Sequence, residues 1–226
     1  MKIIIASTNG FLGSRLKIHL KKRHQVFNYS IKKNNILPKK ADVLINVCGP
    51  TAQDCYKKPK LTSFLRSRIN QKLLKISKKL GIKLFLYVST IHVYKPAKII
   101  TEESNLNYKD SYSISHINGE RELLKSSLNK EIDIKILRTA NCIGYDENKK
   151  SQMWNLLAGN LCKNLILTNK IVLNSKINTY RNFMPVYFFL KSIDFFLSKK
   201  NNLKILNISS NQSISILNIA KTIRER

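Results

Sequence analysis

The chain has 226 residues, 43% of them hydrophobic, and it carries a formal net charge of +28. This length allows one well-buried core, or a core with a small appendage. No run of about eighteen apolar residues is present, which argues against a transmembrane helix. Residues 1–6 are more typical of a first strand than of a signal peptide. We therefore expect a globular protein of the cytoplasm.

The basic residues far outnumber the acidic ones, with 41 Lys and Arg against 13 Asp and Glu. The simplest interpretation is compositional bias, with solvated lysines on helix faces. A positive field also favours an anionic partner: a nucleotide, a nucleotide-linked sugar, a phospholipid surface or a nucleic acid. The charges are spread along the whole chain without a nucleic-acid-binding motif, so no specific nucleic acid is expected. The four cysteines lack zinc spacing, which predicts reduced, buried thiols and no metal site.

Apolar runs of strand length alternate along the chain with segments of helical periodicity. Strands are predicted at 2–6, 26–29, 42–47, 83–88, 132–137 and 203–208. Helices are predicted at 11–22, 61–80, 112–128, 153–165, 186–197 and 213–226. This alternation predicts an α/β fold, a Rossmann-like doubly wound parallel sheet with helices on both faces. Ligands of such sheets bind at the carboxyl ends of the strands.

The turn after the first strand, Ser7-Thr-Asn-Gly-Phe-Leu-Gly13, has the spacing of a phosphate-binding turn. Gly10 lets the backbone approach a pyrophosphate, Gly13 lets the helix pack close to the strand, and free N–H groups at the helix start bind phosphate. Ser7 replaces the usual first glycine, and a plain tight turn is the alternative. The residues predicted to bind a dinucleotide here are Ser7, Asn9, Gly10, Phe11, Leu12 and Gly13.

The second strand ends in Tyr29-Ser30, where dinucleotide-binding folds usually carry an acid for the adenine ribose hydroxyls. Without an acid to repel it, a 2′-phosphate can be accepted by Ser30 and Lys32. This favours NADP slightly over NAD. The alternative is that the lysines are only loop charge.

With these pieces in place, the chain resembles the extended short-chain dehydrogenase/reductase family, the NAD(P)-dependent epimerases, dehydratases and reductases of nucleotide sugars. The resemblance runs in order through nearly the whole chain. Its pieces are Gly10-Phe-Leu-Gly13, Asp42 to Gly49, Tyr87 to Tyr94, Ile100 to Glu103, Tyr112 to Leu124, Leu137 to Gly144, Arg181 to Val186 and Leu206 to Ala220. It implies an NAD(P)-binding domain over 1–144 and a small, reduced substrate lobe over 145–226, of which 181–210 partly rejoin the main domain.

The resemblance also assigns roles by position. Thr90 matches the residue that hydrogen-bonds the reacting substrate oxygen, Tyr112 matches the proton donor or acceptor, and Cys48-Gly49 match the loop beside the cofactor. Elementary chemistry agrees, because a carbonyl that accepts hydride becomes an alkoxide and an acidic O–H must meet it. The residues expected to bind substrate are Ser89, Thr90, Ile91, His92, Asn141 and Arg181.

His116 stands where the family carries a lysine, one helical turn after Tyr112 and on the same face. A lysine lowers the pKa of the tyrosine with a permanent charge and binds the nicotinamide ribose. A histidine with a pKa of about 6.5 can donate the ribose hydrogen bond while mostly neutral, but it then supplies little charge. Three interpretations stay open: a working variant with His116 as a catalytic and cofactor-binding residue, a catalytically weakened descendant, and an unrelated role.

These features predict an NAD(P)-dependent reductase or epimerase of a nucleotide-linked 4-keto sugar in surface-polysaccharide biosynthesis, with a homodimer as one option. The family's dehydratases carry Asp-Glu directly after the threonine, where this chain has Ile91-His92, so dehydration is not expected. The short connection over 30–41 trims the adenine side, and Phe188 stands where the family often has Asp. The runner-up is a catalytically weakened dinucleotide-binding module with a sensing or scaffolding role. A nucleic-acid or membrane-surface binder driven by charge is the third option.

Overall fold

The computed structural model describes residues 1–31, 35–128, 131–145, 152–173, 179–198 and 201–225. The strands are β1 Lys2–Ala6, β2 Gln25–Tyr29, β3 Val43–Asn46, β4 Leu84–Thr90, β5 Asp133–Thr139, β6 Asn141–Ile143, β7 Tyr180–Pro185, β8 Ile205–Ile208 and β9 Ser213–Ser215. The α-helices are α1 Phe11–Lys21, α2 Ala52–Lys57, α3 Pro59–Thr62, α4 Leu65–Leu80, α5 Ser111–Ser127, α6 Leu157–Thr168, α7 Val186–Ser198 and α8 Ile216–Arg224. Short 3-10 helices span Ile91–Val93 and Gln152–Asn155.

Six strands form one parallel sheet in the order β2-β1-β3-β4-β5-β8. The chain leaves β1 toward β2 on one side and returns to β3 on the other, so the strand order reverses beside β1. The predicted doubly wound α/β fold is confirmed. β2 is an edge strand, and the described residues between β2 and β3 contain no further strand or helix.

Both faces of this sheet are covered by helices. Ile3 and Ile5 belong to a core cluster that includes apolar side chains of α1 and α7. Ile4, between them, belongs to a second cluster with side chains of α4 and α5. Successive residues of a strand point to opposite faces, so a sheet buried on both sides produces the continuous apolar runs seen in the sequence.

A second, three-stranded sheet lies after β5 in the order β6-β7-β9. Sequence analysis did not predict β6 and β7, and it assigned β9 to a helix, because strands this short carry little periodic signal. After β7 the chain returns to the main body, where α7 packs on the first core cluster and β8 pairs with β5.

The segment before β4 differs from the predicted single helix over 61–80. The long helix α4 begins at Leu65, and the preceding residues form α2 and α3. Thr51 and Asp54 form a reciprocal capping box at the start of α2, and Pro59 occupies the first turn of α3. The predicted helix 153–165 is likewise divided into a 3-10 turn and α6.

Within the described ranges, no helix has both the length and the apolar character needed to cross a membrane. Those ranges also contain no group of three or more His, Cys, Asp or Glu side chains able to hold a metal ion. All four cysteines fall in described segments and none forms a disulfide. Cys55 and Cys142 are buried as expected, whereas Cys48 and Cys162 are only half-buried.

Candidate active site

The glycine turn connects β1 to α1 at the carboxyl end of β1. Ser7 has a backbone φ of 71°, in the left-handed region that glycine enters without strain. Its N–H donates a 2.9 Å hydrogen bond to the Tyr29 carbonyl oxygen, which ties the turn to β2. The turn therefore keeps the backbone shape of a first glycine although the side chain is a serine.

The two glycines of the turn serve different purposes. A Cβ on Gly13 would lie 2.0 Å from the Ser7 carbonyl oxygen, so only glycine lets α1 approach the turn this closely. A Cβ on Gly10 would meet nothing within 4 Å, so the space beside this residue is open. Gly10 is the N-cap of α1, and this residue has no side chain to cap the helix. The N–H groups of the first turn are thus available to an anionic ligand.

The other predicted residues of the turn differ in exposure. Asn9 is exposed and Leu12 is half-buried. Phe11 is buried in the first core cluster. Phe11 can therefore serve a ligand only through its backbone N–H.

The end of β2 is the region predicted to bind the adenine ribose. The backbone N–H of Ser30 donates to Asn35 Oδ1 at 2.6 Å, and the Ser30 carbonyl accepts from Asn35 Nδ2 at 2.8 Å. This pair of bonds fixes the backbone of Ser30 directly after the strand. Lys32, the other residue predicted to bind a 2′-phosphate, lies outside the described residues.

The three predicted catalytic side chains are adjacent at the carboxyl edge of the main sheet. Thr90 ends β4, where its hydroxyl oxygen accepts the His92 N–H at 3.3 Å and lies close enough to the Tyr112 phenol to lower its pKa. Tyr112 lies in the first turn of α5, whose N-cap Asp110 accepts a 2.8 Å bond from the Ser113 N–H. The ring of His116 meets the ring of Tyr112 edge-on, with centroids 4.7 Å apart at 75°.

His116 is held by a buried network that fixes its tautomer. Its Nδ1 lies 3.2 Å from Ser89 Oγ and 3.4 Å from Tyr87 Oη. Ser89 Oγ donates its single proton to Glu120 Oε1 at 2.6 Å, so it can only accept from the imidazole. In the neutral ring the proton therefore sits on Nδ1, and Nε2 is an acceptor. This Nε2 is buried and has no hydrogen-bond partner in the described part of the chain.

The network also determines what Ser89 can do. This residue is 2% exposed, and its hydroxyl is directed at Glu120 and His116. Glu120 is itself paired with Arg138, whose Nη2 lies 2.6 Å from Oε2, and both side chains are buried. Ser89 thus lies next to His116 with its hydroxyl bound in the interior, and its predicted contact with substrate stays a prediction.

Burial governs the pKa values in this cluster. It raises the pKa of the Tyr112 phenol above the usual 10, while the Arg66 guanidinium and the Thr90 hydroxyl act in the opposite direction. Burial also holds the pKa of His116 well below 6.5, with the charge on Arg66 adding to the effect. His116 is therefore neutral at pH 7, and Arg66 is a permanent positive charge beside both rings.

The Cys48-Gly49 loop follows β3 and is tied to Arg66. The guanidinium donates to the Cys48 carbonyl at 3.4 Å and to the Pro50 carbonyl at 2.6 Å. A Cβ on Gly49 would lie 1.7 Å from Nη1, so glycine is required where the guanidinium passes. From the other side, Asn46 Oδ1 accepts the Cys48 N–H at 2.8 Å. The loop predicted to border the cofactor is thus held rigidly.

The predicted substrate residues lie at the junction of the two sheets. His92 Nε2 is 3.3 Å from Asn141 Oδ1, and the His92 ring lies 6.3 Å from the ring of Tyr112. Burial lowers the pKa of His92, and the positive charge of Arg181 on β7 lowers it further. Ile91 is half-buried against the core. The structure therefore brings His92, Asn141 and Arg181 to one side of Tyr112.

Three residues of this cluster, Arg66, Glu120 and Asp110, are not predicted from the sequence. Arg66 precedes the buried Ile69 by three positions, so helical periodicity is the signal that could have indicated an inward-facing side chain. As a basic residue in a chain rich in lysine, it looked like one more surface charge. Glu120 follows His116 by one turn, and in the sequence it stands out only as part of the helix motif Tyr112 to Leu124. Asp110 stands directly before α5, and aspartate is one of the residue types preferred at a helix N-cap.

Comparison with known proteins places these features in context. The model of the NAD dependent epimerase/dehydratase family matches residues 3–209. A dTDP-D-glucose 4,6-dehydratase of Dictyostelium discoideum is 25% identical over 98% of this chain. The chain spans 61% of the length of that protein.

Solved structures share the fold at lower identity. UDP-glucuronic acid 4-epimerase from Bacillus cereus, in complex with UDP-glucuronic acid and NAD, is 19% identical with a TM-score of 0.87, over 100% of this chain and 82% of that one. TunA, an NAD dependent NDP-hexosamine 5,6-dehydratase, is 18% identical with a TM-score of 0.86, over 99% and 80%. RMD from Pseudomonas aeruginosa, complexed with NADPH, is 20% identical with a TM-score of 0.81, over 98% and 82%.

Proposed function

Because the chain belongs to the NAD dependent epimerase/dehydratase family, we propose that it is an NAD(P)-dependent enzyme that acts on a nucleotide-linked 4-keto sugar. It serves as a reductase or an epimerase in surface-polysaccharide biosynthesis. The observation that carries this proposal is the cluster of Thr90, Tyr112 and His116, in which the rings of Tyr112 and His116 meet edge-on with centroids 4.7 Å apart. The cluster lies at the carboxyl edge of the sheet, where ligands of this fold bind.

The residues of the glycine turn fit a nicotinamide dinucleotide. The open space beside Gly10 and the uncapped start of α1 suit a pyrophosphate. The Cys48-Gly49 loop would border the nicotinamide side, and Tyr112 with His116 would contact the ribose. When bound, the cofactor supplies or removes the hydride.

Tyr112 is proposed as the proton donor and acceptor. In the reductive direction its O–H bond breaks and the proton passes to the substrate oxygen, and in the oxidative direction the proton returns. Thr90, whose hydroxyl acts on the phenol from the end of β4, orients that oxygen. Neutral His116 offers Nε2 as an acceptor, so it would receive a hydrogen bond from a hydroxyl where a lysine would donate one.

Reduction and epimerisation suit these residues better than dehydration. Removal of water from the sugar requires an acid and a base near the reacting carbons. Ile91 cannot ionise, and His92 is bound to Asn141 with a pKa lowered by burial. We assign His92, Asn141 and Arg181 to the sugar side. The excess of positive charge over the chain favours an anionic substrate.

The choice between NADP and NAD is proposed to depend on Ser30 and Lys32, since no acid ends β2. Ser30→Asp is expected to weaken NADPH binding at least about tenfold while improving NADH binding, because the carboxylate repels a 2′-phosphate and accepts ribose hydroxyls. Isothermal titration with both cofactors measures this. Equal effects on the two cofactors would contradict the assignment.

A catalytically weakened dinucleotide-binding module is the second candidate. It is favoured by the low pKa of His116, which leaves the lysine position without charge. Such a module binds NADP(H) but transfers no hydride to any nucleotide-linked 4-keto sugar.

The deciding experiment incubates the protein with reduced cofactor and a panel of UDP- and dTDP-linked 4-keto sugars. The proposed enzyme oxidises the cofactor and forms a 4-hydroxy sugar, and this activity falls by about 10²–10⁴-fold in Tyr112→Phe. Net consumption of cofactor identifies a reductase, whereas interconversion of nucleotide sugars without it identifies an epimerase. Binding without turnover supports the module instead.

A further inference from the structure

Arg66 is a buried cation beside the active site, and no acidic side chain in the described part of the chain pairs with it. The residue is 6% exposed. None of the ion pairs in the described part of the chain includes it. Its Nη groups donate to the carbonyls of Cys48 and Pro50, and its Nε has no hydrogen-bond partner within the described residues. Burying an unpaired charge is costly, so this position calls for an explanation.

The surroundings of Arg66 are shaped to admit it toward Tyr112. The guanidinium Cζ lies 5.6 Å from the centroid of the Tyr112 ring. Glycines stand on two sides: a Cβ on Gly49 would lie 1.7 Å from Nη1, and a Cβ on Gly119 would lie 3.0 Å from the Arg66 Cβ. The path of the side chain from α4 to the phenol therefore depends on two positions without side chains.

We propose that Arg66 supplies the permanent positive charge that stabilises the Tyr112 phenolate, the charge that neutral His116 does not carry. The inference rests on the proposed function, because a phenolate forms when Tyr112 gives its proton to the substrate oxygen. An opposite charge within about 6 Å favours the ionised form of a phenol. Arg66 and His116 thus divide the two tasks of a single lysine: Arg66 provides charge, and His116 provides a hydrogen-bonding group.

The division explains why the two residues occur together. A second cation at position 116 would be repelled by the guanidinium, and the charge on Arg66 does contribute to lowering the pKa of His116. Arg181 on β7 is a second permanent cation, on the His92 side of the site, but Arg66 is the cation that lowers the pKa of Tyr112. The remaining ionisable groups around Tyr112 in the described part of the chain are weakly acidic, acidic or neutral. They are Cys55, Tyr56, Tyr87, His92, Asp110 and His116.

The test measures the ionisation of the phenol directly, without turnover. Tyr112 is replaced by 3,5-difluorotyrosine, whose lower pKa allows titration while the fold is intact, and ¹⁹F NMR follows it. Arg66→Met removes the charge and keeps an apolar stem, and Arg66→Gln is a second neutral variant. Arg66→Lys retains the charge, and Arg68→Gln removes an exposed arginine of the same helix as a matched control.

We expect Arg66→Met and Arg66→Gln to lower the phenolate fraction at a given pH by about tenfold or more, as expected for loss of an opposite charge at this range. Arg66→Lys and Arg68→Gln should change it by no more than about twofold. Adding His116→Lys to Arg66→Met should restore the ionisation. An unchanged titration in either neutral variant overturns the proposal, because an arginine that only braces the Cys48-Pro50 loop would alter cofactor affinity and leave the phenol unaffected.

Turnover assays of the same variants separate this inference from the proposed function. If the titration responds to Arg66 and the wild-type enzyme reduces the sugar, both stand. If the titration does not respond but turnover depends on Tyr112, the enzyme assignment stands and the role of Arg66 is overturned. If the titration responds and no substrate is turned over, the charge coupling stands while the enzyme assignment fails.

Discussion

The buried pair of Glu120 and Arg138 allows the strongest prediction about stability. Their side chains are 3% and 4% exposed, and the carboxylate receives bonds from Arg138 Nη2 at 2.6 Å, from Nε at 3.1 and 3.2 Å, and from Ser89 Oγ at 2.6 Å. Glu120→Gln keeps the shape but leaves the guanidinium buried without an opposite charge. Removing one partner of such a pair costs about 3–5 kcal/mol, a large share of the roughly 5–15 kcal/mol that stabilises a folded chain.

Urea unfolding followed by circular dichroism measures this cost. With a slope of about 2–3 kcal/mol per molar urea, the midpoint is expected to fall by roughly 1–2 M. Glu131→Gln is the matched control, because Glu131 pairs with Lys78 at 2.7 Å with both side chains more than half exposed. Such a surface pair contributes about 0–1 kcal/mol.

A double-mutant cycle with Arg138→Met tests whether the cost arises from the pair. The double variant is expected to lose less stability than the sum of the two single variants, by about 2 kcal/mol, because no charge is left unpaired. Glu120→Gln no more destabilising than Glu131→Gln, or two losses that simply add, would refute the reasoning.

Three further predictions concern single residues. Ser7→Gly should raise the unfolding temperature by roughly 1–3 °C, since a left-handed serine costs about 1–2 kcal/mol and the larger backbone entropy that glycine loses on folding cancels part of this gain. Asn169→Gly, at φ 52°, should raise it less, because asparagine tolerates the left-handed region. ¹⁵N NMR should find His116 protonated on Nδ1 and bare on Nε2 at pH 7, and a protonated Nε2 would contradict the network. The pKa of His116 in the folded chain lies well below 6.5, so the unfolded chain binds this proton first as the pH falls, and the free energy of unfolding decreases below about pH 6.5. His116→Gln should reduce this loss of stability. An unchanged pH dependence of stability in His116→Gln would contradict the assignment to His116.

The fold could be predicted from the sequence because each central strand is buried on both faces. Runs such as Ile3-Ile-Ile5 and Leu84-Phe-Leu-Tyr-Val88 have no other place in a globular protein of this size than a covered sheet. The small second sheet could not be predicted for a different reason, the length of its strands and the distance to their partners. Its strands are three to six residues long and pair with partners far along the chain.

The candidate site could be predicted only where function uses a residue type at fixed spacing. Tyr112 and His116 are one helical turn apart, and Thr90 ends a strand, so their meeting follows from local structure. The pairing of Arg66 with this cluster depends on how α4 packs against α5. This packing brings Arg66 next to Tyr112, although the two residues are 46 positions apart in the sequence. The tautomer of His116 likewise depends on a chain of bonds that only the packed structure defines.

The most direct test of the central claim is single-turnover oxidation of bound NADPH or NADH by a nucleotide-linked 4-keto sugar, followed through the absorbance of the reduced nicotinamide. We predict that the wild-type protein oxidises the cofactor, and that Tyr112→Phe binds it equally well but reacts about 10²–10⁴-fold more slowly. Equal rates in the two proteins, or cofactor that binds tightly and is never oxidised by any such sugar, would contradict the assignment of Tyr112 as the proton donor.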